Sequence, residues 1–203
     1  MAQSPKRVKP IFRIYTEGKK TEINYIKSYI TEYLKQKGYS GHDVSITQPQ
    51  DYSPYGLLKA ARQDSDSAPG DIVWLIFDCD KHSCISRTFD ESRHTNIKIA
   101  YSSICFETWI LLHFCYSTKA YTCCDEIKKD LNKYFEQGYD KAVKNIFILA
   151  AGSDLIRLSD ARKNARKMCD WARGTGEKIW QLNPYTNVHE LLDAIDGYIA
   201  NKS

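Results

Sequence analysis

The run Asp71-Ile-Val-Trp-Leu-Ile-Phe77 constrains the fold more than any other stretch of the chain. It lacks polar alternation, so a strand built from it carries apolar side chains on both faces. Such a strand belongs at the centre of a sheet covered on both sides. Ile11-Phe-Arg-Ile-Tyr15 and Ile97-Lys-Ile-Ala-Tyr101 read as further strands, and Val44-Ser-Ile46 as a short one.

Helical patterns separate these strands. After Thr21-Glu22, apolar residues at 23, 26, 30, 33 and 34 follow the 3.6-residue period. Pro54 opens a second helix to about Asp64, closed by the loop Asp64–Gly70. A third helix is predicted around Ser86–His94, and Cys105–Phe114 reads as a buried helix. The remainder is predicted mostly helical, about 122–137, 153–173 and 187–200, with Asn183-Pro184 starting the last helix. Ile146–Leu149 fits strand or helix. The alternation implies right-handed crossovers and an α/β fold with a mostly parallel, Rossmann-like sheet flanked by helices. With 203 residues and no clear linker, a single domain 1–203 is expected, its core at about 11–115 and a helical elaboration at about 116–203.

Acids at three places in the chain, four residues in all, carry the functional reading. Asp78 and Asp80 follow the central strand one residue apart, at a carboxyl-terminal sheet edge where α/β proteins collect ligands. In extended chain they point to one side and repel unless a cation or proton lies between them. Magnesium suits such a site because it needs few protein carboxylates. The alternative is a turn that caps the next helix. Glu17 ends the first strand in Thr-Glu-Gly-Lys-Lys and can face the aspartates if the two strands are neighbours. Glu107 is the one charged residue between Tyr101 and Phe114, in an otherwise apolar segment, where a carboxylate needs a partner or a role. His113 in the same segment reads as a core histidine. Lys19, Lys20 and Lys81 read either as solvated surface or as phosphate-positioning groups.

The net charge of +4, from 29 Lys and Arg against 25 Asp and Glu, permits a nucleic-acid partner without requiring one. Between Arg157 and Lys178 lie seven basic residues and three acids. Arg162 and Arg166 fall one helical turn apart there, flanked by Trp171 and Trp180, as a phosphate-tracking helix requires; a solvated helix face is the alternative. Seven cysteines, an odd number in apolar or helical segments, read as free thiols in a reducing compartment. Cys79, His82, Cys84 and Cys123-Cys124 include no C-x-x-C pair, which argues against zinc. No run reaches the roughly 20 apolar residues of a membrane span, and the opening MAQSPKRVKP does not resemble a signal peptide, so a cytoplasmic location is expected.

Four motifs in order then resemble the RloB family of Toprim-fold proteins. They are Thr16-Glu17-Gly18 with Thr21-Glu22 and Asn24-Tyr25; Phe77-Asp78 with Asp80; Cys105-Phe106-Glu107 with Trp109 and Leu111-Leu112-His113-Phe114; and Asn183-Pro184 with Thr186, Val188 and His189. Ser103-Ile104 stands where that family usually has Asn-Pro before Cys-Phe-Glu. The resemblance implies a Toprim-like core with Glu17 as general acid or base and Asp78 and Asp80 holding Mg²⁺ or Mn²⁺. In the mechanism read from these residues, Glu17 would take the proton from an attacking water or add a metal ligand, Glu107 would complete the catalytic and metal set, and Lys19, Lys20, Lys81, Arg162 and Arg166 would contact nucleic acid. It further implies a nuclease of tRNA, other RNA or DNA that acts in abortive infection and phage defence beside an ATPase partner. The alternative is an interaction subunit of an ATPase-containing defence complex without activity of its own, and a homo-oligomer stays possible.

Overall fold

The computed structural model describes residues 10–34, 36–38, 44–67, 70–79 and 82–201. Five strands form one sheet in the order β2-β1-β3-β4-β5: β1 is Phe12–Thr16, β2 Val44–Thr47, β3 Ile72–Asp78, β4 Lys98–Ser103 and β5 Tyr185–Thr186. β1 to β4 are parallel, and β5 runs antiparallel to β4. The helices are α1 (Thr21–Ser28), α2 (Pro54–Ser67), α3 (Ile85–Ser92), α4 (Glu107–Leu111), α5 (Cys124–Leu131), α6 (Ile146–Ala151), α7 (Ile156–Thr175) and α8 (Val188–Ala200). The α/β class, the mostly parallel sheet and the helical second half match the expectation from sequence. No described helix is long and apolar enough to cross a membrane.

β3 is central, and its period of two divides its side chains between two cores. Trp74 and Ile76 pack with Phe12, Ile14, α1, α4 and the helical second half. Val73, Leu75 and Phe77 pack with Tyr15 and with Leu57, Leu58 and Ala61 of α2. A strand buried on both faces has no place for a polar residue until it ends, which explains the unbroken apolar run. Arg13 and Asp71 tie the start of the sheet, with Nε 2.6 Å from Oδ2.

Several elements differ from the sequence reading. Asp78 is the last residue of β3 and pairs with Ser102, not a residue beyond the strand. α1 buries Glu22, Tyr25 and Ile26, and leaves Ile23 only half-buried. A π-helical continuation over Tyr29–Leu34 shifts its apolar face off the regular helical period. Cys105–Phe114 contains only a short helix, and Ile146–Ala151 settles as helix. Asn183-Pro184 does not open the last helix. Its peptide is cis and leads into β5. Asn187 then extends the β5 edge with its side chain, accepting from Tyr101 N–H at 2.8 Å and donating to Ile99 carbonyl at 3.0 Å.

The cysteine expectation is corrected. Cys105 and Cys124 are disulfide-bonded, while Cys79, Cys84, Cys115, Cys123 and Cys169 are free. Cys105 precedes α4 and Cys124 opens α5, so helix packing brings together two residues that are 19 apart in sequence.

Candidate metal centre at the sheet edge

β1 and β3 are direct neighbours in parallel register, so Glu17 and Asp78 emerge at the same edge of the sheet. Glu17 N–H continues the ladder to Ile76 carbonyl at 3.0 Å, and Gln48 Nε2 donates to Glu17 carbonyl at 2.7 Å. The backbone around Glu17 is thus held from both flanking strands. Among the described residues its carboxylate meets Asp78 and His82. Oε2 accepts from Asp78 N–H at 3.3 Å, and Oε1 lies 2.7 Å from His82 Nε2.

Asp78 shares the strand parity of Trp74 and Ile76, so it points toward α1 and α4. Phe106 N–H donates to its carboxylate, but Oδ1 is sealed from solvent and has no hydrogen-bond partner among the described residues. Burial raises its pKa well above the usual carboxylate range, and the charges of Glu22, Glu107 and Glu17 push it further the same way.

Glu22, missed as a site residue in the sequence reading, is the fourth acid. It lies in the first turn of α1 and is 7% exposed. Burial pushes its pKa up to about 7, helped by the charges of Glu107 and Glu17; its own backbone hydrogen bond and Lys141 act in the opposite direction. A Cβ at Gly18 would come within 2.0 Å of the Glu22 carboxylate. A side chain in place of the glycine of Thr16-Glu17-Gly18 would therefore displace the Glu22 carboxylate pressed against the turn, a steric signal with no counterpart in composition.

Glu107 is 4% exposed and is fixed by hydroxyls. Tyr139 Oη donates to Oε1 at 2.9 Å, and Thr21 Oγ1 lies 3.3 Å from the same oxygen. Cys124 Sγ is 3.3 Å from Oε2. In the turn into α4, where Ser103-Ile104 stands, Thr108 Oγ1 donates to Ser103 carbonyl at 2.9 Å. Tyr139 and Lys141 come from the coil between α5 and α6, where no motif marks them. His82 carries no signal in the sequence beyond its nearness to Cys79 and Cys84, which suggests a zinc ligand rather than a partner for Glu17.

The arrangement brings Glu17, Glu22, Asp78 and Glu107 to one rim. Asp80 and Lys81, both expected there, lie outside the described residues. Hard carboxylate oxygens suit Mg²⁺ or Mn²⁺, and a buried oxygen without a donor is where a cation compensates. The residues present fit such an ion. They are not collapsed into a ligand set, however. Among the described residues, the groups with donor atoms mutually within 4.8 Å are Cys105–Glu107–Cys124 and Cys169–His189–Glu190. Cys79, His82 and Cys84 form no such group.

The predicted nucleic-acid contacts divide. Lys19 and Lys20 are exposed beside the site, Lys19 Nζ lying 5.1 Å from the Tyr52 ring centroid. Arg162 is not on an open basic face. Its guanidinium joins α7 to α8, with Nη2 2.9 Å from Asp196 Oδ2 and 2.8 Å from Tyr29 Oη. Arg166 stays more than half exposed and pairs with Asp193 at 2.9 Å. His113 is a core residue, 3.0 Å from Tyr25 Oη through Nε2, and burial pulls its pKa down to about 3.

The family model described as RloB-like protein matches residues 12–195, from the first residue of β1 into α8. No curated protein and no solved structure matches the chain.

Proposed function

The chain belongs to the RloB-like protein family, and from that premise we propose that it is a Toprim-type, metal-dependent phosphodiester hydrolase. The observation that supports this most is Asp78 Oδ1, buried without a donor among three further carboxylates at the carboxyl edge of the sheet. Asp78, Glu22 and Glu107, with Asp80 from the sequence, would hold Mg²⁺ or Mn²⁺. When bound, the ion would neutralise these acids and polarise a phosphate oxygen of the substrate.

The remaining chemistry falls to the chain itself. Glu17 would take a proton from the attacking water, and His82, 2.7 Å from its Oε1, would stabilise or pass on that charge. The water oxygen bonds to phosphorus, the bond to the leaving oxygen breaks, and that oxygen takes up a proton. Tyr139 and Thr21 hold Glu107 in one orientation. Lys19 and Lys20, with Lys81 from the sequence, would position the flanking phosphates, and Arg166 would extend the contact along a polymer. The substrate class is nucleic acid, RNA such as tRNA or DNA. The setting is abortive infection and phage defence in the cytoplasm, with an ATPase as partner.

The test incubates purified protein with tRNA, single-stranded DNA and duplex DNA, with and without Mg²⁺ or Mn²⁺. Divalent-dependent cleavage that Asp78→Ala abolishes supports the proposal. Cleavage that persists in Asp78→Ala overturns the assignment of the site. Cleavage seen only once the ATPase is added favours the interaction-subunit reading.

A further inference from the structure

The acid rim makes no use of one sequence motif, Asn183-Pro184 through Thr186, Val188 and His189. Its residues sit at the opposite flank of β4, where β5 turns into α8. Cys169 reaches the same place from α7. A sulfur of Cys169, a ring nitrogen of His189 and a carboxylate oxygen of Glu190 all lie within 4.8 Å of one another.

Two of these groups are poorly satisfied for their burial. His189 is 4% exposed, and its Nδ1 is a buried atom with no hydrogen-bond partner among the described residues. Cys169 Sγ has only long contacts, 3.7 Å to Tyr185 Oη and 3.7 Å to Thr186 carbonyl. An imidazole nitrogen left unpaired inside a protein has given up its hydrogen bonds to water without replacement, so the packing around it calls for a partner. Glu190 is exposed, which gives an ion a path from solvent, and its Oε2 accepts from Asn187 Nδ2 at 3.1 Å. That bond orients the carboxylate in the manner of an outer-shell partner. Asn187 is itself anchored to β4 by its contacts with Tyr101 and Ile99.

We propose that Cys169, His189 and Glu190 form a second metal site, selective for a borderline-soft divalent cation of the Zn²⁺ class. Sulfur, imidazole nitrogen and a single carboxylate oxygen are the zinc donor set, whereas Mg²⁺ selects oxygen. The site differs from the acid rim in its donors, its elements and the ion it prefers. The ion joins the middle of α7 to the first turn of α8 and so fixes β5, the antiparallel edge strand that borders β4. Cys169 loses its proton to solvent on binding, and a fourth position faces outward for water.

Cobalt(II) is the probe, because thiolate coordination gives a sulfur-to-metal charge-transfer band that oxygen ligation lacks. Full-length protein, reduced with a thiol-free phosphine, is titrated with Co²⁺ and the bound ion is then displaced by Zn²⁺. One equivalent with the charge-transfer band is expected, bleached by Zn²⁺. Cys169→Ser abolishes the band. The exposed change Glu190→Gln leaves the fold intact and weakens Co²⁺ binding at least as much as loss of an outer partner does, roughly 10–100-fold. A Cys105→Ser, Cys124→Ser double variant keeps the band, as does Asp78→Ala. A band lost with Cys105 and Cys124 but kept in Cys169→Ser, affinity unchanged in Glu190→Gln, or no band at all overturns the proposal.

Discussion

The main-chain N–H of Asp78 donates to Oε2 of Glu17 over 3.3 Å, so the last residue of β3 orients the carboxylate that follows β1. The two acids are thus coupled through the backbone of one and the side chain of the other. Asp78→Asn retains that N–H and the side-chain shape while removing one charge from the cluster. In metal-free protein at pH 8 the loss of repulsion raises stability by on the order of 1 kcal/mol, about 2–4 °C in a chain of this size. The same change abolishes divalent-dependent cleavage and the stabilisation by Mg²⁺. A lower melting temperature in Asp78→Asn without metal would show that the carboxylates are already compensated by other means.

Glu22 sets a pH window. Its folded pKa of about 7 lies above the ordinary 4.5, so between these values the folded chain binds more protons than the unfolded one. Stability from this group is complete below pH 4.5 and is lost as pH rises toward 7; Asp78, also shifted upward, acts in the same direction. His113 and His189, pulled down to about 3 and about 4, have the opposite effect and lose stability as pH falls below 6.5. The difference between melting curves with and without Mg²⁺ cancels the histidines. It should be small at pH 5 and largest above pH 7, because a cation replaces the protons that the acids no longer hold. An equal Mg²⁺ shift at both pH values would place the ion elsewhere.

Much of this site was readable from the chain because strand ends are readable. An apolar run that stops at an acid places that acid at a sheet edge, and two neighbouring runs of this kind place Glu17 beside Asp78. Glu107 stood out as a lone charge in an apolar segment. Glu22 did not, since an acid in the first turn of a helix is ordinary, and only the three-dimensional approach to Gly18 shows that it is buried. Tyr139 and Lys141 come from coil, where no periodicity constrains side-chain direction. β5, two residues long and held partly by the Asn187 side chain, falls below what alternation can reveal. Arg162 was misplaced for a related reason. Helical spacing identifies which residues share a face, but not whether Asp193 and Asp196 cover it.

Gly18→Ala tests the steric half of the site. The new methyl meets the Glu22 carboxylate, and the expected cost is about 1–3 kcal/mol with a loss of divalent binding. Glu22→Ala in the same chain removes the obstacle, so the double variant should regain most of the stability. It should not regain the metal response, because the acid is gone. Denaturant midpoints for the two single variants and the double variant give the coupling directly. Additive losses would mean that Gly18 is needed for some reason other than Glu22.

Reduction of Cys105–Cys124 opens a link spanning 19 residues, for which loop entropy predicts a loss of about 3 kcal/mol. Cys124 Sγ also lies 3.3 Å from Glu107 Oε2, so the loss should extend to the acid rim. Urea melts with and without reductant, repeated on a Cys105→Ser, Cys124→Ser variant, check both points. The wild type should become reductant-sensitive and the variant should not. Identical midpoints for oxidised and reduced wild type would show that helix packing alone holds α4 against α5.

Arg162 and Arg166 should separate when mutated singly. Arg162 is 17% exposed in its side chain and bonded to Asp196 and Tyr29. Arg162→Ala leaves the partly buried Asp196 carboxylate without its cation, with Tyr29 Oη still donating to it, a loss of about 2–4 kcal/mol, discounted from the fully buried case because Asp196 remains 24% exposed. Arg166 is 57% exposed and pairs with Asp193, which is itself 39% exposed, so Arg166→Ala should cost less than about 1 kcal/mol. Its effect belongs to binding instead. If α7 tracks a phosphate backbone through Arg166, the slope of log affinity against log salt falls by about 1 in Arg166→Ala, with affinity reduced for all sequences alike. The salt slope of Arg162→Ala, measured at a temperature where that variant stays folded, should match the wild type. An unchanged slope in Arg166→Ala would remove α7 from the nucleic-acid surface and leave Lys19 and Lys20 as the phosphate contacts to test next.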